Sequence, residues 1–272
     1  MKRKRIIYTI CISMIIIPCI LMMGRLIQYK TEDAVLDQVS EITAKYVIPE
    51  ADRLITDVQN QESLIEPEDY IDISAMKAEN QDLAGYIRID DTPVDYPIMR
   101  SEESDKYLRR DFYGNRSAYG CIYMDNASYA GGMNLLLYGH NMKSGKMFGQ
   151  IDLYENEEFM AAHPYIKYID ETGISVYEVI GYFIAGAKDK ELLKVLVPYT
   201  QEEAEGFLEY VKQHGKLTQD FAFGDNLITL GTCEYTHKNG RLFVIGKRKE
   251  FKDWRNQSGT ETQTESEAAS HS

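Results

Sequence analysis

The chain is poor in cysteine and histidine, which limits the chemistry available to it. Its 272 residues include four cysteines and five histidines. Two of the cysteines, Cys11 and Cys19, lie within an apolar run, which leaves Cys121 and Cys233. So few cysteines argue against a disulfide framework. The sequence has no Cys/His cluster and no EF-hand-like acidic loop, so it predicts no metal site and no cofactor.

Basic residues are also in deficit, with 30 Lys and Arg against 43 Asp and Glu. Residues 1–30 hold six basic residues and no acidic ones, so residues 31–272 carry a net charge of −19. A chain segment this acidic is a poor candidate for binding nucleic acid or an anionic membrane surface through its net charge. We therefore expect no nucleic-acid partner.

Only one long apolar run is present, from Ile6 to Met23, and Lys2 to Arg5 precede it. At about 1.5 Å per residue the run is long enough to cross the hydrocarbon of a bilayer as a helix. Basic residues are retained on the cytoplasmic side. We expect a cytoplasmic tip at 1–5, a single transmembrane anchor at 6–27 and the rest of the chain outside the cell. The alternative is a cleaved signal peptide, but Leu26 to Lys30 offer no small-x-small cleavage pattern.

Short β-prone runs separated by turns fill the middle of the chain. There are eight of them, and they fall at 85–89, 94–99, 120–124, 134–138, 165–169, 175–184, 227–230 and 242–247. Many short strands with few long helices between them predict a mainly β fold, a closed or nearly closed antiparallel barrel of eight strands.

Helical patterns surround and interrupt these strands. Segment 28–69 contains apolar residues at helical spacing from Val35 to Tyr46 and again around 54–58, and we expect both helices to pack rather than to form a coiled coil. Asp72 is placed to cap a helix over 73–79, and 148–162 also has a helical pattern. In 201–213 a capping box of Thr200 and Glu203 precedes an apolar stripe. We expect a globular domain over 70–251 and a disordered polar tail over 252–272.

The segment Thr229-Leu230-Gly231-Thr232-Cys233 is a β-prone run that ends in a cysteine. An ordinary thiol is mostly protonated at neutral pH, so a nucleophilic cysteine needs a nearby cation or base. His140 follows the strand predicted at 134–138 and Arg241 follows Cys233, so each is a candidate. Papain-like proteases have the opposite order, with cysteine before histidine. A buried structural thiol, or a Cys121–Cys233 disulfide that would remove the nucleophile, remain the alternatives.

The position of Arg241 depends on the turn between the last two strands. Asn239-Gly240 favours a two-residue turn, which would pair Cys233 with Gly246 and place Arg241 about 16 Å away along the strand. Cooperation of Arg241 with Cys233 instead requires the first strand to end near Cys233 and a loop over 234–240. Arg248 is the fallback arginine, at the far end of the final strand.

These motifs resemble the sortases, and over most of 70–250 they resemble class B. The resemblance rests on the segment ending at Cys233, on Tyr138-Gly139-His140-Asn141-Met142 and on Gly85 to Ile98. It implies a membrane-anchored transpeptidase of Gram-positive cells with a β-barrel, N-terminal helices and a helix before the cysteine strand. It also implies Cys233 as nucleophile, His140 as general acid/base and Arg241 as oxyanion or substrate partner.

The same resemblance implies the partners. The enzyme would cleave a C-terminal sorting signal of the N-P-x-T type on surface proteins and transfer them to an amine of the cell-wall precursor. A pilin polymerase with a protein lysine as acceptor is the second enzyme hypothesis. A catalytically silent, membrane-tethered binding module on the same barrel is the third.

Overall fold

The computed structural model describes residues 2–49, 64–103, 105–128, 133–186, 188–234 and 240–253. For residues 2–11, Pro67, Cys233 and Glu234 it describes the backbone alone. The chain divides into two compact units, Met1–Ile42 and Thr43–Ser272. The helix expected around 54–58 and the polar end of the chain after 253 lie outside the described residues.

The N-terminal unit is helical. One helix, α1, runs from Lys2 to Lys45 and contains Pro18. Its portion Ile12–Lys45 is long and apolar enough to cross a membrane, and none of its most apolar window is buried against protein. A continuous apolar surface of this kind is costly in water. The helix is therefore suited to serve as a membrane anchor.

Nine strands occur in the described part of the second unit. They are β1 (Leu83–Arg88), β2 (Asp95–Met99), β3 (Ile122–Met124), β4 (Asn134–Tyr138), β5 (Tyr165–Asp170), β6 (Gly173–Gly186), β7 (Gly215–Leu217), β8 (Leu227–Glu234) and β9 (Gly240–Asp253). Their order is β5-β1-β2-β3-β4-β8-β9-β6-β7, and β5 also pairs with β6. That pairing closes a ring of eight strands, with β7 attached outside it. The eight-stranded barrel predicted from the sequence is confirmed.

The expectation that all neighbouring strands are antiparallel is wrong at two places. β2 pairs with β3 in parallel, and β4 pairs with β8 in parallel. Parallel partners need a crossover connection instead of a hairpin. The β4–β8 crossover spans 139–226 and contains β5, β6, β7 and most of the helices. The consequence for function is that β4 and β8 end at the same edge of the barrel.

Four short helices accompany the barrel in the described residues, and side-chain caps explain where they begin. They are α2 (Ile73–Met76), α3 (Glu157–Ala162), α4 (Lys190–Val195) and α5 (Gln201–His214). Asp72 accepts a hydrogen bond from the Ala75 N–H at the start of α2, as the sequence predicted, although α2 ends before 79. The Thr200–Glu203 capping box of α5 is confirmed. Both caps satisfy backbone N–H groups that a helix start leaves unpaired.

The predicted helix at 148–162 is instead two elements. A 3-10 turn covers Ile151–Glu155, and α3 starts two residues later. The side chain of Asn156 accepts hydrogen bonds from the N–H groups of Glu158 and Phe159, so it caps a new helix. A residue that caps has extended backbone angles, which is why a continuous helix cannot pass through it.

Helix α5 packs on the barrel wall against β6 and β7. Phe207 of α5 lies edge-to-face against Phe183 of β6, with 5.9 Å between ring centroids. Phe183 in turn stacks on Phe243 of β9 at 4.7 Å. Burial of these rings holds α5 against β6 and β9, because each ring contributes a large apolar area.

Candidate active site

Cys233 lies opposite Arg241 in the barrel. The backbone of β8 pairs with that of β9 so that Cys233 is the cross-strand partner of Arg241 and Glu234 that of Gly240. The two-residue turn at Asn239-Gly240 is therefore wrong, because Gly246 pairs with Ile228. The first strand ends next to Cys233, as the alternative expectation required. Directly opposed residues have Cβ atoms about 4.5–5.5 Å apart, so no long reach separates these two positions.

His140 follows the end of β4, which is the neighbour of β8 on the side away from β9. In the parallel β4–β8 ladder Tyr138 is the partner of Gly231. Cys233 lies two residues further along β8, and His140 lies two residues beyond the end of β4. Beyond Tyr138 the chains stay joined, because the Gly139 N–H donates to the Gly231 carbonyl at 3.2 Å. Parallel strands end at one edge, so the topology brings a histidine that is 93 residues distant in sequence to the cysteine strand.

The loop that carries His140 is tightly packed. A Cβ added at Gly139 would lie 2.5 Å from Ile122 Cδ1 and 2.8 Å from Phe148 Cδ2. No side chain fits at this position, which explains the glycine before the histidine. The His140 carbonyl also accepts a hydrogen bond from the Phe148 N–H at 3.0 Å. The backbone of His140 is thus held by its neighbours on both sides.

The imidazole of His140 has a defined partner. Its Nε2 lies 2.8 Å from the carbonyl oxygen of Leu108. A carbonyl only accepts, so Nε2 carries the hydrogen and donates, and Nδ1 is the nitrogen left to gain or lose a proton. Burial lowers the pKa of His140, opposed by the Leu108 hydrogen bond and assisted by the positive charges of Arg109 and Arg241.

The backbone around Leu108 is itself fixed. The Cys121 N–H donates to the Tyr107 carbonyl at 2.9 Å, and Tyr107 donates its hydroxyl to Asp82 at 2.9 Å. Gly120 has a φ of +62°, and a Cβ there would lie 2.7 Å from the Leu108 oxygen. Glycine tolerates both the positive φ and the close approach. The acceptor for His140 is therefore supplied by a rigid turn.

Arg241 is placed by an aromatic surface. Its guanidinium carbon lies 5.2 Å from the centroid of the Tyr138 ring, within the range of a cation–π contact. The centroid of the Tyr138 ring lies 6.4 Å from that of Phe243 and 5.8 Å from that of Tyr123. This surface holds the guanidinium near the edge where β4 and β8 end.

The fallback arginine lies elsewhere. Arg248 is the partner of Tyr177 in the β6–β9 pairing, and its N–H donates to the Asn226 carbonyl before β8 begins. Seven residues of strand separate it from Arg241, roughly 23 Å at about 3.3 Å per residue. Arg248 is therefore at the opposite end of the barrel from Cys233.

Cys121 does not form a bridge with Cys233. Cys121 is a free, buried thiol whose sulfur donates to the Arg110 carbonyl at 3.4 Å. Burial raises the pKa of the Cys121 thiol, and the charge of Asp111 raises it further. It is a packing residue, and the disulfide alternative is wrong.

A cavity of about 240 Å³ opens next to Arg241. Its lining combines aromatic, apolar and acidic side chains, among them Tyr123, Tyr138, Leu192, Leu196 and Asp105. Leu192 and Leu196 come from the α4 segment that precedes α5. The cleft thus joins apolar side chains to two carboxylates and a guanidinium, a mixed lining that is typical of a site for a polar ligand.

The comparisons with known proteins agree with this geometry. The family model described as the sortase domain matches residues 87–249. The chain belongs to the sortase family. A curated relative, sortase B of Listeria monocytogenes, is 34% identical over 175 residues, which is 62% of this chain and 70% of that protein. Sortase B of Staphylococcus aureus is 25% identical over 174 residues, with the same coverage.

Solved class B sortases have the same fold. The structure of Clostridium perfringens sortase B aligns with a TM-score of 0.60 and 28% identity over 65% of this chain and 99% of that one. A sortase B of Bacillus anthracis, solved in complex with AAEK2, aligns with a TM-score of 0.65 and 27% identity over 81% of this chain and 96% of that one. The class B resemblance is confirmed, and membership makes this sortase a cysteine transpeptidase.

Three features of the site escaped the sequence interpretation. The Leu108 carbonyl that holds His140 is a backbone atom and carries no residue signal. The stacking of Arg241 on Tyr138 follows only from the β4–β8 register. Helix α4, which lines the cavity, is six residues long, and its cap Asp189 is the one signal that marks it.

Proposed function

We propose that this sortase forms a thioester on Cys233, with His140 as general acid/base and Arg241 as the partner of the substrate carbonyl. The observation that supports this assignment best is the placement of the three residues at one end of β8. Arg241 is the cross-strand neighbour of Cys233, and Gly139, the residue before His140, donates its N–H to the Gly231 carbonyl of the cysteine strand. Acyl transfer at a single carbonyl requires nucleophile, acid and donor to meet in this way.

The tautomer of His140 gives the proton route. In the proposal the Cys233 thiolate attacks the substrate carbonyl, and the oxygen that becomes negative accepts hydrogen bonds from Arg241. Collapse of the adduct breaks the peptide bond, and protonated Nδ1 of His140 gives its proton to the departing amine. An incoming amine then attacks the thioester, loses a proton to Nδ1, and releases the thiolate. Nε2 stays bound to Leu108 throughout, so the ring does not turn.

The substrate we propose is a surface protein with a C-terminal sorting signal of the N-P-x-T type, cleaved after threonine. The cavity beside Arg241 supports a bound peptide, because the carboxylates and the guanidinium in its lining can bond peptide groups, and its tyrosine and leucine side chains can contact a proline ring. The acceptor we propose is an amine of the cell-wall precursor. A solved structure of Staphylococcus aureus sortase B is a substrate complex, which supports substrate binding by this fold.

Peptide cleavage tests the proposal. The second compact unit, residues 43–272, is incubated with an N-P-x-T peptide and with a peptide in which threonine is replaced by valine. Release of the C-terminal fragment from the first peptide alone is expected, with Cys233→Ala inactive. Full cleavage by Cys233→Ala contradicts the mechanism. Competition between a glycine-type amine and a lysine-containing protein segment then separates wall anchoring from pilin polymerisation.

We also propose that α1 anchors the enzyme, with 1–5 in the cytoplasm, 6–27 in the membrane and residues 70–251 as an extracellular catalytic domain. The length and exposed apolar surface of α1 support an anchor, and Lys2 to Arg5 support the orientation. Protease treatment of intact protoplasts should degrade the catalytic domain. Protection of that domain until the cells are lysed contradicts the orientation.

A further inference from the structure

We propose that the hydroxyl of Thr232 is a positioning group that holds His140 at the level of Cys233. The inference rests on the proposed function, because it assigns a task to the residue that precedes the nucleophile. Thr232 Oγ1 donates to the Gly139 carbonyl at 2.9 Å, and the Thr232 side chain is fully buried. The bond therefore joins the residue before the cysteine to the residue before the histidine.

The bond lies at the end of the β4–β8 pairing, next to His140. Regular pairing of β4 with β8 ends at Tyr138 and Gly231. The chain then turns away through His140 toward Phe148. At this point Gly139 is bonded on both of its polar groups, its N–H to Gly231 and its carbonyl to Thr232. The Thr232 bond is thus the last side-chain link between the two segments before the reactive residues.

Close packing around Gly139 makes the orientation of its peptide group depend on the hydrogen bond from Thr232. Ile122 and Phe148 occupy the space around the Gly139 Cα so closely that no Cβ fits. If Thr232 loses its hydroxyl, the Gly139 carbonyl becomes a buried acceptor with a lost donor. Such a group is costly and rotates to find another partner. Rotation of the Gly139–His140 peptide moves the imidazole relative to Cys233 and strains its bond to Leu108.

This displacement affects turnover more than binding. Thr232 is buried and is separate from the cavity beside Arg241, so substrate affinity has no direct contact to lose. A misplacement of about 1 Å in a catalytic group costs on the order of 10²-fold in rate. We expect a fall in kcat with KM little changed.

The chain provides a matched control on the same strand. Thr229 is also fully buried, and its hydroxyl donates to the Asn134 side chain at 2.9 Å. Asn134 is at the start of β4, away from His140. Replacing either threonine by valine removes one buried donor and keeps the shape. A purely structural effect should therefore be similar in the two variants.

The experiment compares Thr232→Val, Thr232→Ser and Thr229→Val in the full chain. Peptide cleavage kinetics, thermal unfolding and the NMR titration of His140 are measured for each. Thr232→Val should lose on the order of 10²-fold in kcat, Thr232→Ser should recover most of it, and Thr229→Val should keep wild-type kcat despite a lower Tm. The His140 signals should shift in Thr232→Val alone.

Three outcomes overturn the inference. They are wild-type kcat in Thr232→Val, an equal loss in Thr232→Ser, and an equal loss in Thr229→Val. If the wild-type enzyme leaves the peptide uncleaved, the proposed function fails, and the positioning role is judged by NMR alone. Unchanged His140 signals in Thr232→Val then refute it.

Discussion

Cys233 and Arg241 are direct cross-strand partners in β8 and β9. The step of eight residues between them is accommodated because Glu234 pairs with Gly240, which leaves 235–239 as the connection. A tighter turn would have shifted the register and carried Arg241 away from Cys233. The connection between β8 and β9 thus determines which arginine is the cross-strand partner of Cys233.

Arg241 should therefore be sensitive to replacement even by lysine. A lysine keeps the charge but loses the planar, forked donor geometry and the stacking on Tyr138. Removal of one oxyanion donor typically costs about 10²- to 10³-fold in kcat, and we expect Arg241→Lys to fall in that range. Arg248→Lys, at the other end of β9, should keep wild-type kinetics. Equal losses in the two variants would contradict the assignment.

The His140 titration should lie below its ordinary pKa of 6.5, because burial and the Arg109 and Arg241 charges disfavour the imidazolium. Arg109→Gln removes one of these charges, so the His140 pKa should rise in NMR titration. Arg116→Gln serves as a control on the same segment. An unchanged His140 pKa in Arg109→Gln would show that the Arg109 charge does not lower the pKa of the imidazole.

The same pKa shift has a consequence for stability. The unfolded chain binds a proton at His140 at higher pH than the folded chain does, so the free energy of unfolding should fall as the pH drops through about 6.5. The loss should level off below the folded pKa. His140→Gln should remove this part of the acid sensitivity, as measured by urea unfolding from pH 7.5 to 5. An identical pH dependence in this variant would contradict the lowered pKa.

The two thiols of the catalytic domain should differ in reactivity. Cys121 is buried and its pKa is raised, so iodoacetamide should leave it unmodified in the native enzyme and modify it after unfolding. Cys233 should react in the native state. Cys121→Ala should retain activity, and mass spectrometry of the labelled peptides identifies each site. Native labelling at Cys121 would show that its packing is looser than described.

A buried charge cluster should stabilise the barrel. Asp69 has no exposed side-chain surface and accepts from Lys167 and Arg88, both at 2.8 Å. Asp69→Asn removes the carboxylate that the two cations share. Lys167 keeps Asp90 and Arg88 keeps Asp95, so the free energy of unfolding should fall by about 1–3 kcal/mol. The exposed pair Lys212–Asp220 is the control, and Asp220→Asn should cost about 0–1 kcal/mol. Comparable losses would contradict this difference.

Much of the fold could be predicted because its signals are local. The capping box at Thr200 and Glu203 marks α5, and the short β-prone runs separated by turns mark the strands of the barrel. β7 is three residues long and was missed, since Gly215 to Leu217 offer no periodicity. The two parallel pairings were missed because they depend on crossovers, and strand patterns do not specify the partner of a strand.

The site was predictable in its residues but not in its geometry. His140, Cys233 and Arg241 carry chemical groups that can be recognised in sequence. Their placement at one end of β8 depends on the β4–β8 and β8–β9 pairings, which are properties of tertiary structure. The backbone acceptor at Leu108 has no residue-type signal, so only coordinates reveal the tautomer of His140.

The most direct test of the mechanism is mass spectrometry of the covalent intermediate. Full-length enzyme is mixed with an N-P-x-T peptide without added amine, quenched in acid and digested. A mass increase equal to the N-terminal peptide fragment, located on Cys233 and removed by hydroxylamine, is predicted. Peptide cleavage with Cys233 unmodified, or an adduct located on another residue, would contradict the account.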